Sequence, residues 1–161
     1  MLLQLDTVHQ AVFVLILSIV RYIFFGGLAF LIFYVIFKNK NRFYKIQQRW
    51  PTNKDYRREI FYSFITFLIF ALVPFVLNHP LIKPLTTIYK NISDYPGWYF
   101  IAVFPLMLLV HDTYFYFMHR LMHHPRLFKF FHVIHHKSTN PSPWAAFAFN
   151  PAEAVVESGI I

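Results

Sequence analysis

Three apolar runs, separated by polar or proline-rich stretches, organise this chain. The first covers residues 11–37 and is broken only by Arg21. As a helix it would be about 40 Å long, more than the roughly 30 Å hydrocarbon core of a bilayer. Arg21 then either snorkels to the outer interface, leaving 22–37 as the deep part of a tilted span, or faces the interior of a bundle; snorkelling is the favoured reading. The second run, 59–78, predicts another span, with a kink at Pro74 near its outer end. The third begins at Trp98 and stays apolar or aromatic to about residue 118. Between the second and third runs, Pro80, Pro84, Pro96 and Gly97 break the chain around a short interfacial helix. After residue 136 a turn region leads to a last helix, for which Asn150, Pro151 and Glu153 fit the cap, first and third positions.

Composition points the same way. Hydrophobic residues make up 57% of the 161 and charged residues 14%, where soluble domains carry about one quarter charged. The expected fold is all-α: an integral membrane helical bundle. The formal charge of +8 is concentrated beside the apolar runs, notably over residues 38–58, where eight Lys and Arg face one acid, Asp55. Charge so placed reads as an orientation signal and a contact to anionic headgroups, not as a nucleic-acid surface. The positive-inside rule puts this loop in the cytoplasm, and counting spans brings the end of the third run to the same side. The start of the chain lacks the basic region and cleavage site of a signal peptide.

Chemistry concentrates just past the third run. Six of the nine histidines fall between 119 and 136. On a helix His119 and His123 share one face, and His132, His135 and His136 share another. Neutral imidazoles converging in this way are a means of holding a transition metal. With no cysteine in the chain, any ligand set is nitrogen and oxygen, which favours iron, zinc, manganese or copper. Five imidazoles exceed the needs of one structural zinc, so the inference is two metals, or one with further ligands. Arg120 stands where a zinc protease of the His-Glu-x-x-His type needs glutamate, which excludes that class.

Around the cluster, Asp112 lies two turns before His119, and an acid at the end of a span needs a partner. It either ligates metal or accepts a hydrogen bond from a histidine's second nitrogen. Tyr116 is a further candidate for hydrogen bonding in the site, and these two are the candidate catalytic residues. His124 is either a ligand or solvated, His79 stands alone, and His111 lies off the face of His119. Glu153 reads first as a helix cap and second as a carboxylate near the metals, with Glu157 one turn on.

At these residues the chain resembles the fatty acid hydroxylase / sterol desaturase superfamily of membrane histidine-box oxygenases. Three stretches carry the resemblance: DTYFYFMHRLMH at 112–123, HVIHHKS at 132–138, and NPSPWAAFAFNPAE at 140–153. The likeness covers roughly residues 98–161, the start of such a domain, preceded by a membrane region over 1–97. It implies a helical membrane domain with a cytoplasmic histidine-rich cap. It also implies a non-haem di-iron site with His119, His123, His132, His135 and His136 as ligands, O2 as oxidant, an electron-donor redox protein, and hydroxylation or desaturation of a membrane lipid. Asn150 stands where many members carry histidine, and the family's further histidine box downstream has no counterpart in these 161 residues. The expectation is therefore an N-terminal part of such an enzyme, with an incomplete metal site and little turnover, in a bacterial plasma membrane or the endoplasmic reticulum. The rival readings are a zinc-binding membrane protein without redox chemistry, a transporter with ion-relay histidines, and a structural membrane protein.

Overall fold

A computed structural model of the chain describes residues 6–86 and 91–160. It is helical, with no strand among the described residues, and three helices are long and apolar enough to cross a membrane. They are α1, Thr7–Ile36; α2, Asn53–Leu77; and α3, Gly97–Met122. Five smaller pieces follow among the described residues: α4, Pro125–Phe131; α5, Val133–His136; a 3-10 turn, Pro143–Phe147; α6, Pro151–Glu157; and a last 3-10 turn, Ser158–Ile160. The connection after α2 forms short 3-10 turns at Lys83–Leu85 and Ile92–Asp94 in place of a single interfacial helix, and residues 87–90 lie outside the described residues.

Helix ends follow from local chemistry. Asp6 accepts from the backbone N–H of His9 at 2.8 Å and starts α1. Thr52 and Asp55 form a reciprocal capping box at the start of α2, worth about 1 kcal/mol for such a cap. Within α2 the regular helix stops at Phe70 and resumes at Val73. Pro74 has no N–H to give to the carbonyl of Phe70, so the break falls one turn before it. α1 is longer than the apolar run that predicts it and contains two π-helical stretches, Tyr22–Gly26 and Leu31–Ile36. Arg21 is exposed on it, turned away from the bundle.

The bundle is polar within and apolar without. The buried face of α2 is Glu59, Ser63, Thr66 and Phe67, while Phe61, Phe64, Leu68 and Leu72 are exposed. That inversion suits a lipid solvent, in which polar groups must find each other. What they find is the segment that follows α5. Ser142 donates to the carboxylate of Glu59, and the carbonyl of Trp144 accepts from Tyr22 at 2.6 Å and Ser63 at 3.1 Å. The Trp144 ring lies edge-on to Tyr22, with centroids 5.4 Å apart, and tilted against Phe30. A Cβ on Gly26 would sit 3.5 Å from the Trp144 ring, an ordinary contact, so the indole packs directly against this turn of α1. The segment before it is held by the basic loop: Lys45 donates to Asn140, Arg49 to Thr139, and Arg58 to Ser138. The loop that the charge pattern singles out and the stretch after the histidines therefore meet at one end of the bundle.

α3 stands apart. Its apolar window has no buried residue, and it meets α4 and α6 toward its C-terminal end. There Tyr114 donates to the carbonyl of Val156 at 2.8 Å, and a Cβ on Gly159 would come within 2.7 Å of the same hydroxyl. Gly159→Ala is thus expected to push Tyr114 off its hydrogen bond and destabilise the protein by about 1–3 kcal/mol. Gly97, with nothing within 4 Å of a built Cβ, should tolerate Ala or gain about 0.4–1 kcal/mol. Thermal unfolding of the two variants in the same detergent measures the difference in sign.

Candidate metal centre

The last turn of α3 delivers His119 and, as its C-terminal cap, His123. Their Nε2 atoms are 3.2 Å apart, close to the roughly 3.4 Å between two nitrogens bound tetrahedrally to one ion. His124 caps the next helix, accepting from the N–H of Arg126, and Pro125 at its first position turns the chain back. After α4 comes His132, which is not helical: with φ −125° and ψ −9° it is the hinge between α4 and α5. His132, His135 and His136 therefore do not lie along one helix, as their spacing predicts. The hinge carries the His132 ring back over the first pair, with centroids 4.5 Å from His119 and 4.7 Å from His123. Ligand atoms of His119, His123 and His132 all lie within 4.8 Å of one another.

His135 and His136 complete the group. His135 stacks on His132 at 5.0 Å, and His136 is edge-on to His132 at 4.8 Å and to His123 at 5.0 Å. Phenylalanines wall it in: Phe115 against His119, Phe128 against His123 and His136, Phe149 against His135. Exposure is graded, with His132 buried, His119 and His135 half-buried, and His123 and His136 open. A cavity of about 320 Å³ opens beside His135, lined by Ser138, Ser142 and the small side chains of Ala145, Ala146 and Ala148.

The buried end of the group is held by a carboxylate. His132 Nδ1 lies 2.7 Å from Glu153 Oε1, and both side chains are almost wholly buried. The other oxygen of Glu153 accepts from the N–H of Asn150 and closes the capping box of α6. One residue thus serves both roles that its position in sequence suggests. With Nδ1 engaged, the Nε2 of His132 is buried without a hydrogen-bond partner. An orphaned ring nitrogen beside two converging imidazoles, its opposite nitrogen held by a carboxylate, is the arrangement that a metal-binding histidine takes. The donor set and its geometry therefore fit an N-ligated transition metal.

Asp112 and Tyr116 face elsewhere. Asp112 is exposed and pairs with His111 Nδ1 at 3.2 Å; Tyr116 is exposed and accepts from Arg120 at 3.2 Å. His79 is exposed and accepts from the N–H of Leu81. Two carboxylates gain weight instead. Glu157 is buried one turn beyond Glu153 with an unpartnered oxygen. Glu59, fully buried in α2, also has an unpartnered oxygen. An acid at the very start of an apolar run is the sequence signal that points to Glu59.

Electrostatics follow burial. Burial drives His132 down to about 3, with the neighbouring imidazoles adding to the effect, and also lowers His135. Burial drives Glu153 up to about 8, against the opposing N–H of Asn150. Without metal, both partners are neutral. Below 6.5, the ordinary imidazole value, the unfolded chain takes a proton that His132 refuses, so stability falls toward acid. Above 4.5, the ordinary carboxyl value, the unfolded chain releases a proton that Glu153 keeps until about 8, so stability falls toward base. The two slopes cancel between 4.5 and 6.5. Burial also lowers His119 and raises Glu157, so outside this pair the acid and alkaline slopes both gain contributions. Melting curves of the metal-free protein should decline from 6.5 to 8, and Glu153→Gln should make that alkaline decline shallower while keeping the acid one.

Residues 104–161 match the family model described as fatty acid hydroxylase. A Delta(7)-sterol 5(6)-desaturase of Gibberella zeae is 38% identical over 105 residues, which is 63% of this chain and 32% of that protein. One from Aspergillus fumigatus is 33% identical over 140 residues, 85% of this chain and 41% of that protein. Methylsterol monooxygenase 1 of Rattus norvegicus is 27% identical, over 84% of this chain and 45% of its own length. The chain thus spans less than half the length of these relatives, and no solved structure matches it significantly.

Proposed function

We infer, from a chain whose residues 104–161 belong to the fatty acid hydroxylase / sterol desaturase superfamily, that it contributes to a membrane-bound, iron-dependent oxygenase acting on a lipid C–H bond. The observation that carries this reading is the orphaned Nε2 of His132, buried beside His119 and His123 and backed by Glu153. His119, His123 and His132 would hold one ion, and His135 and His136 border it on the side where a second would share the cluster. When bound, iron supplies what side chains cannot: activation of O2 to a species able to attack an unactivated C–H bond.

The chain's own residues prepare the site for that chemistry. Glu153 keeps the Nδ1 proton of His132 in place, which fixes the ring's tautomer and aims Nε2 at the cluster. Phe115, Phe128 and Phe149 restrict water around the imidazoles. The alanine-walled cavity beside His135 receives the apolar part of the substrate. The relatives' names speak for a sterol or sterol-like lipid over a fatty acyl chain, and both desaturases and a monooxygenase occur among them. Electrons come from a redox protein at the basic, cytoplasmic end of the bundle.

Metal content of the purified full chain tests the reading without requiring turnover. Protein expressed with iron available should carry iron in excess of zinc, and His132→Ala should lose most of it. Glu153→Gln should weaken iron binding about ten- to a hundredfold, while Asp112→Asn should leave it nearly unchanged. Zinc in place of iron, or iron content indifferent to His132, would sink the oxygenase assignment.

A further inference from the structure

A second site lies at the same end of the bundle, away from the histidines. Where α1 ends, Phe33 and Tyr34 form one side of an open pocket of about 570 Å³, and Lys45, Ile46, Trp50 and Pro141 form much of the rest. Lys45 lines it, and two ammonium groups flank its indole: Lys38 Nζ lies 5.4 Å and Lys45 Nζ 5.0 Å from the centroid of the Trp50 ring. Tyr34 packs edge-on to the same indole at 5.1 Å and donates to the carbonyl of Pro141. Lys45 also donates to Asn140, which uses one of its three N–H groups.

The surroundings are basic and greasy together. Lys38, Lys40, Arg42, Lys45 and Arg49 have no carboxylate within ion-pair distance among the described residues. Between them, Phe43, Tyr44 and Ile46 are 86%, 79% and 99% exposed. Bare aromatic and aliphatic side chains among uncompensated cations, at the mouth of a membrane span, suit the boundary between headgroups and acyl chains.

We propose that this pocket binds the headgroup of an anionic phospholipid, its phosphate at Lys45 with Lys38 adding to the field beside Trp50, and its acyl chains along Phe33 and Ile46. Charge complementarity selects the anion, and the exposed apolar residues select a lipid over a soluble phosphate or an acidic protein. Because Asn140 and Pro141 close the pocket four and five residues after His136, a bound lipid braces the segment that leads from the histidines to Trp144.

The test is lipid retention. The full chain is placed in nanodiscs of phosphatidylcholine with and without phosphatidylglycerol, stripped in mild detergent, and the retained lipid identified by native mass spectrometry. The wild type should keep phosphatidylglycerol in preference, and the Lys38→Gln/Lys45→Gln double variant should lose about tenfold in that preference. The Arg126→Gln/Lys129→Gln double variant, with the same loss of charge elsewhere, should not. Ile46→Ser changes a side chain that touches nothing in the fold and should weaken retention too, which keeps the test sound if the lysine variant folds poorly. Equal loss in both double variants, or no preference for the anionic lipid, overturns the proposal. So does displacement by inorganic phosphate, which would indicate a free-anion site. Unchanged lipid retention in the lysine variant, with lost binding of an acidic protein, would reassign the patch to a protein partner.

Discussion

Polar groups that cannot reach water must be satisfied by one another, and that constraint shapes this molecule. The face of α2 that turns inward is Glu59, Ser63 and Thr66; Thr66 donates to the Tyr62 carbonyl of its own helix, while Glu59 and Ser63 find partners in Ser142 and Trp144, more than seventy residues later in the chain. In lipid, apolar burial gives helices little reason to associate. Cohesion comes instead from hydrogen bonds such as those to the Trp144 carbonyl and from aromatic edges around Tyr22. Individually these are small, about 0.6 kcal/mol for an average interhelical bond and about 0.5–1.5 kcal/mol for an aromatic pair. Collectively they fix the segment between the second histidine group and α6.

The histidine cluster depends on that fixation. His132 is placed by α4 and α5, but its orientation is set by Glu153, and Glu153 is held in turn by the cap of α6. α6 packs against α2, α3 and α4. The imidazoles are thus aimed by a chain of contacts that begins with the polar seam of α2. The stretch after the histidines is anchored as well: residues 138–140 are held by Lys45, Arg49 and Arg58 of the basic region. The histidine cluster and the basic region thus meet on one stretch of backbone.

Several features are legible from residues alone. The apolar runs predict three spans because nothing but lipid tolerates so much uninterrupted apolar surface. Asn150, Pro151 and Glu153 predict the start of α6, since capping is settled within four residues. The clustering of histidines predicts a metal centre, and the motifs over 112–153 point to the superfamily. The bend before Pro74 follows from a missing N–H. Each of these rests on neighbours in sequence.

What tertiary structure decided is which carboxylate faces which imidazole. Asp112, on the same helical face as His119, is the natural candidate from spacing, yet it pairs with His111, and the buried partner of His132 is Glu153, 21 residues away. Helical periodicity extends only as far as the helix, and His132 sits where the helix breaks. The partners of Glu59 and Trp144 are invisible to pattern for the same reason, because they lie 83 and 122 residues away. Short-range rules establish elements and their caps; the pairing of buried polar groups is a property of the whole bundle, since each group's alternatives are removed only when every other helix is in place.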